Sequence, residues 1–107
     1  MPTRQDFFSI GTTPVRVLLE NQRRIGWRIT MYSSGIETGN TGRIHMGRGF
    51  VPGSVLGQPN VGDILVQGSE MSEEKAYPEE VIFTAEIWLI ASIADQRVSV
   101  EETVPPG

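Results

Sequence analysis

His45 is the only histidine of the chain, and cysteine is absent. A first-row metal site would therefore have to be built from one imidazole and carboxylates, short of the nitrogen and sulfur donors such sites use. Carboxylates gather at Glu70, Glu73, Glu74, Glu79 and Glu80. That cluster could supply a general acid/base pair or hold calcium, but it has no EF-hand order and no other fixed ligand spacing, so it is read as a solvated acidic loop. Ser33 and Ser34 precede Gly35 without a G-x-S-x-G elbow, and a triad would have to use His45. The glycines between 35 and 49 contain no G-x-x-x-x-G-K-[ST] run, and no helix follows to lend its dipole to a phosphate. The expectation is a chain with no catalytic residue, no cofactor and no metal.

Binding chemistry is thinner still. Arg23, Arg24 and Arg28 surround Trp27, the one basic and aromatic grouping available to nucleic acid. Trp27 reads better as core, and a net charge of −4 disfavours a polyanion partner, so no direct nucleic-acid contact is expected. Trp88 and Tyr77 could form a stacking platform for sugars.

The elements that must position these residues are strands. From Ile25 to Ser33, Ile25, Trp27, Ile29 and Met31 alternate with Gly26, Arg28, Thr30 and Tyr32, which marks a central antiparallel strand with one apolar face. Before it, Asp6–Ile10 and Thr13–Leu19 are strand-like, the second with Val15, Val17 and Leu19 on one face, and Glu20–Arg24 links them to the central strand by a hairpin or a crossover. After it come a turn region through Gly42, a short strand Arg43–Gly47 with Ile44 and Met46 inward, and a Gly/Pro-rich loop 49–62 plugged by Phe50, Val51, Val55 and Leu56. Asp63–Gln67 is a strand again. Gly68–Glu80 reads as an exposed acidic loop in which Ser72 could cap a helical turn to Ala76. Val81–Ser92 is apolar on both faces and asks for cover on both, and Arg97–Thr103 alternates again. Short strands with Gly, Pro and Asn punctuation and no amphipathic helix predict an all-β fold, an antiparallel β-sandwich or jelly roll. Val17, Trp27, Ile29, Ile44, Leu65, Phe83, Ile90 and Val98 are expected in one core.

A chain of 107 residues supports a single core. Residues 6–103 form that domain, 1–5 an N-terminal arm and 104–107 a C-terminal tail. No run resembles a signal peptide or approaches a membrane span, so a soluble chain without membrane contact is expected. Charge is split: residues 1–53 hold seven Arg against three acids, and 54–107 one Arg and one Lys against ten acids, giving +4 and −8. Either strands of the two halves pair and the charges interleave, or opposite patches meet across subunits of an assembly. Arg supplies eight of the nine basic residues and suits bidentate interface contacts. Arg4, Arg23, Arg24, Arg28 and the preformed, extended pair Pro105 and Pro106 are therefore the candidate interaction residues.

The order of features matters as well: Val17, Leu18 and Leu19, then Asn21 with Arg23/Arg24, then GWRITMYSSG, the Gly-rich GRGFVPGSVLG, and IWLIAS followed by DQRVSVEET. Over roughly residues 7 to 103 this resembles small bacteriophage virion proteins of the capsid-decoration and head-fibre type. The chain departs from them with Leu-Glu where Leu-Pro is common before the Asn, and with the acidic insert 68–80. The resemblance implies a non-enzymatic structural protein, made in the host cytoplasm, that sits on the virion surface and clamps the major capsid protein and other copies of itself. A carbohydrate-binding module or a tail- or fibre-associated adhesion domain is the alternative.

Overall fold

The computed structural model describes residues 3–31, 42–53, 61–66, 68–75 and 82–105. They form β1 (Thr3–Ile10), β2 (Val15–Leu18), β3 (Gly26–Met31), β4 (Ile44–Arg48), β5 (Asp63–Leu65), β6 (Glu70–Glu74), β7 (Ile87–Ala91) and β8 (Gln96–Thr103). Two antiparallel four-stranded sheets result, ordered β1-β8-β3-β6 and β2-β7-β4-β5. The fold is all-β and sandwich-like, with no helix among the described residues.

Each strand of the first half pairs with a strand of the second: β1 with β8, β2 with β7, β3 with β6 and β4 with β5, while β3·β8 and β4·β7 join these ribbons into sheets. Every connection except β4 to β5 passes from one sheet to the other, so Glu20–Arg24 is a crossover and not a hairpin.

This pattern accounts for the split charge. The ion pairs Arg4–Glu102, Arg16–Glu86, Arg24–Glu102, Arg28–Glu70, Arg28–Glu101 and Arg48–Asp63 all join the basic half to the acidic half, and among the described residues only Arg4–Asp6 lies within one half. The interleaved reading holds within the monomer.

The core is one cluster shared by the sheets: Ile10, Trp27, Ile29, Met31, Val98 and Val100 from one, and Val17, Leu18, Ile44, Met46, Leu65, Ile87, Leu89 and Ala91 from the other. Burial of each large aliphatic side chain stabilises the fold by about 1.5–3 kcal/mol relative to leaving it exposed. Phe83 packs against this cluster partly buried, and Ile90 is buried outside it.

Five sequence expectations change. Leu19 is not on the core face, because β2 gains an extra residue between Arg16, opposite Trp88, and Leu18, opposite Ile87. That bulge turns both Val17 and Leu18 inward and leaves Leu19 58% exposed. The acidic segment is no loop and Ser72 caps no helical turn: Glu70–Glu74 is the edge strand β6, with Met71 opposite Ile29 and Glu73 opposite Trp27; Ala76, Glu79 and Glu80 lie outside the described residues. The apolar run from 81 narrows to Ile87–Ala91, since residues 82–86 take no strand pairing. Phe50 and Val51 are exposed and do not plug the core, and Val55 and Leu56 lie outside the described residues. Lastly, Thr3–Gln5 are not an arm but the start of β1, paired to Glu101–Thr103.

Candidate interaction surface

The arginines expected to serve a partner cluster at one end of the sandwich, where β1 begins, β8 ends and the β2–β3 crossover passes. The crossover is a tight turn built on Asn21. Its Oδ1 accepts the Arg23 N–H at 3.0 Å and its carbonyl accepts the Arg24 N–H at 3.1 Å, an Asx-type turn that aims the next two side chains in different directions.

Arg24 goes inward. It is 2% exposed; its Nε donates to Glu102 Oε2 at 2.9 Å, one terminal nitrogen donates to the carbonyls of Phe83 at 3.0 Å and Ala85 at 3.1 Å, and the other donates to Leu19 O at 2.6 Å. The planar fork thus ties the end of β2, the segment before β7 and the end of β8. It is a structural lock and not a surface contact, which corrects its place among the interaction residues. A signal for this existed: Glu102 continues the inward face of Val98 and Val100, and a carboxylate at an inward position requires a buried partner. Nothing in the residue types alone distinguishes Arg24 from Arg23.

Arg23 goes outward, and its guanidinium donates to Pro105 O at 3.3 Å, so the chain leaving β8 is held by its own crossover. Pro106 lies outside the described residues. Arg4 is exposed and faces Asp6 at 3.2 Å and Glu102 at 3.5 Å. Arg28 stands on the outer face of the β1-β8-β3-β6 sheet between Glu70 at 3.7 Å and Glu101 at 3.9 Å. Thr3 and Thr103 hydroxyls meet on the same face at 3.1 Å, and Gln5 donates to Glu101 at 3.2 Å. Over Gly26 there is a small notch walled by Thr3, Arg28, Ser72, Glu74, Glu101 and Thr103. This face is polar and internally paired; solvated ion pairs of this kind are individually weak, so a partner can displace them at low cost. The acidic residues of β6 divide between two sides: Glu70 lies near Arg28, whereas Glu73 accepts the Trp27 indole N–H at 2.6 Å and the Phe83 N–H at 3.2 Å. Among the described residues no group of three His, Asp or Glu is placed to hold a metal ion.

The outer face of the second sheet carries Trp88 and His45. Arg16 lies over the Trp88 ring at 5.8 Å, occupying one face of the platform proposed for sugar; Tyr77 lies outside the described residues. Beside Trp88 in the ladder, Gly47 is closely overlain by the chain: a Cβ there would collide with the Phe50 carbonyl oxygen and meet Pro52 Cδ at 2.9 Å. His45 is fully buried, and its Nε2 accepts from Arg43 Nε at 2.9 Å. The neutral ring must then carry its proton on Nδ1, which makes no well-formed hydrogen bond among the described residues, the Val61 backbone lying near the ring. Burial first, and the Arg43 charge second, hold the His45 pKa below its ordinary value of 6.5, against a smaller opposing effect of the Val61 backbone.

A folded chain that binds this proton less readily than the unfolded chain is destabilised by acid. The contribution of His45 is therefore complete above pH 6.5 and is lost as pH falls through the lowered folded value. His45→Gln keeps an acceptor for Arg43 but does not titrate. Denaturant midpoints taken from about pH 7 to about pH 5 should fall less steeply for the variant than for the wild type; equal slopes would show that His45 protonation is not coupled to folding.

Comparison of the chain with protein-family models, with curated proteins and with solved structures finds no match.

Proposed function

We propose that this chain is a non-enzymatic bacteriophage structural protein with a jelly-roll fold, a decoration or cement protein that binds the outer surface of the capsid and stabilises the head through subunit–subunit contacts. The observation that carries the reading is the strand order. Pairing β1·β8, β2·β7, β3·β6 and β4·β5 supports reading the chain as a long antiparallel ribbon rolled into two sheets, as in jelly rolls, a fold used by viral capsid proteins. Fold alone does not define a function; the virion reading is added by the resemblance. The residues that carry that resemblance also have structural work in this chain: Asn21 and Arg24 shape and lock the crossover, and IWLIAS and RVSVEET supply β7 and β8.

On this reading the partners are the major capsid protein and further copies of the chain, with Arg4, Arg28 and the Arg23–Pro105 corner at the contact, and the protein is made in the host cytoplasm and carried on the virion. Mass spectrometry of purified virions, together with co-sedimentation of the purified chain with capsids, tests it. Absence from virions and failure to pellet with capsids would reject the proposal. Retention on a polysaccharide column without capsid binding would favour the carbohydrate-binding alternative, and recovery with isolated tails but not heads would favour a tail- or fibre-associated adhesion domain.

A further inference from the structure

Among the described residues each sheet has two edge strands, and three of these four edges are guarded in ways that discourage pairing with another chain. β5 is only Asp63–Leu65, β2 is interrupted by its bulge, and β6 is short and carries Glu70, Glu73 and Glu74. The fourth, β1, runs for eight residues in unbroken register with β8. Among the described residues it pairs with no other strand. Its side chains from Thr3 to Phe7 are exposed, Phe7 at 66%.

From this edge we infer a homodimer, in which β1 of one copy adds antiparallel to β1 of a second about a two-fold axis through Gln5, joining the two β1-β8-β3-β6 sheets into one. The register follows from backbone geometry and charge. In an antiparallel pair, facing residues either both turn their backbone groups toward the partner or both away, so the two-fold must pass through a residue and not between two. Centring it on Asp6 sets carboxylate against carboxylate. Centring it on Phe7 or Phe8 sets Asp6 against Phe8 or Ile10. Centring it on Gln5 sets Arg4 of each copy opposite Asp6 of the other. Arg4 and Asp6 already lie 3.2 Å apart within one chain, so the dimer assembles a square of alternating charge, the cross-strand arrangement that stabilises sheets. This inference does not depend on the capsid reading.

Sedimentation velocity of the full chain from about 10 μM to about 1 mM, the range in which so small an interface dissociates, tests it. The wild type should dimerise with concentration, more tightly at low salt. Gln5→Lys sets two ammonium groups face to face across the axis and should weaken the dimer about fivefold. In the monomer the new side chain remains beside Glu101, so the fold is retained. Asp6→Asn should weaken the dimer by a similar factor, and flatten its salt dependence. Amide exchange in Thr3–Phe7 should slow as wild-type concentration rises, a readout that needs no variant. A wild type that stays monomeric with exchange independent of concentration overturns the inference, as does a dimer indifferent to both substitutions. A dimer tightened by Asp6→Asn would place the axis at Asp6 and overturn the register.

Discussion

Arg24→Met should lower the unfolding free energy by about 3–5 kcal/mol, the cost of removing one member of a buried ion pair, and with it the melting temperature by more than about 10 °C. The loss has two sources. Glu102, 9% exposed, would keep its charge in a buried position with only the longer contact from Arg4 at 3.5 Å. The carbonyls of Leu19, Phe83 and Ala85 would lose the donors that Arg24 brings to them, and partly buried acceptors left unpaired add a share of the desolvation penalty. Glu102→Gln should cost less, because the amide oxygen still accepts from Nε and the guanidinium, although it loses its counter-ion, keeps the carbonyls of Leu19, Phe83 and Ala85. The double change Arg24→Met with Glu102→Leu should recover part of the single-variant loss, since it removes both charges together. Denaturant unfolding of the four proteins checks the set. A loss below about 1 kcal/mol for Arg24→Met, the size of an ordinary surface effect, would mean that the crossover is held by its turn alone.

Trp27→Ala should cost about 3–5 kcal/mol, as other large-to-small changes in cores do. The indole is 3% exposed and lies within the shared cluster. It also donates to Glu73 on β6, so the ring both fills the core and secures an edge strand. Trp27→Phe separates the roles: it keeps most of the apolar area and deletes the N–H, at an expected cost of about 1–3 kcal/mol. Amide exchange should quicken in β6 for Trp27→Phe, with the central strand β8 little changed. Uniform quickening across both sheets would show that the hydrogen bond does not serve β6 in particular.

β3, β4 and β8 were legible because alternation of large apolar side chains with other residues is a local property: Trp27, Ile29 and Met31, Ile44 and Met46, and Val98 and Val100 all face the core. β6 was not legible, because in Glu70–Glu74 the alternation is carried by an acidic side chain. Glu73 faces inward to accept the Trp27 indole N–H and the Phe83 N–H, and the indole lies far away in sequence. The bulge in β2 was hidden for a similar reason. Its extra residue is defined by the register against β7, so Val17 and Leu18 could both turn inward without any sign in their own neighbourhood.

By itself, then, the sequence determined the all-β class, the faces of its best-alternating strands, the membership of most of the core and the opposite charge of its two halves. The tertiary structure decided which strands are partners, which arginine is buried and which strands stand at the sheet edges among the described residues. The physical reason is the range of the forces. Alternation and turn propensity act between neighbours in the chain, whereas the Arg24–Glu102 pair and the β1·β8 ladder join residues of opposite halves, and such contacts exist only once the backbone has brought the halves together. Even the charge split, visible from the start, took its meaning from that pairing: a basic half folded strand by strand onto an acidic half pairs its arginines within one molecule and leaves the net charge of −4.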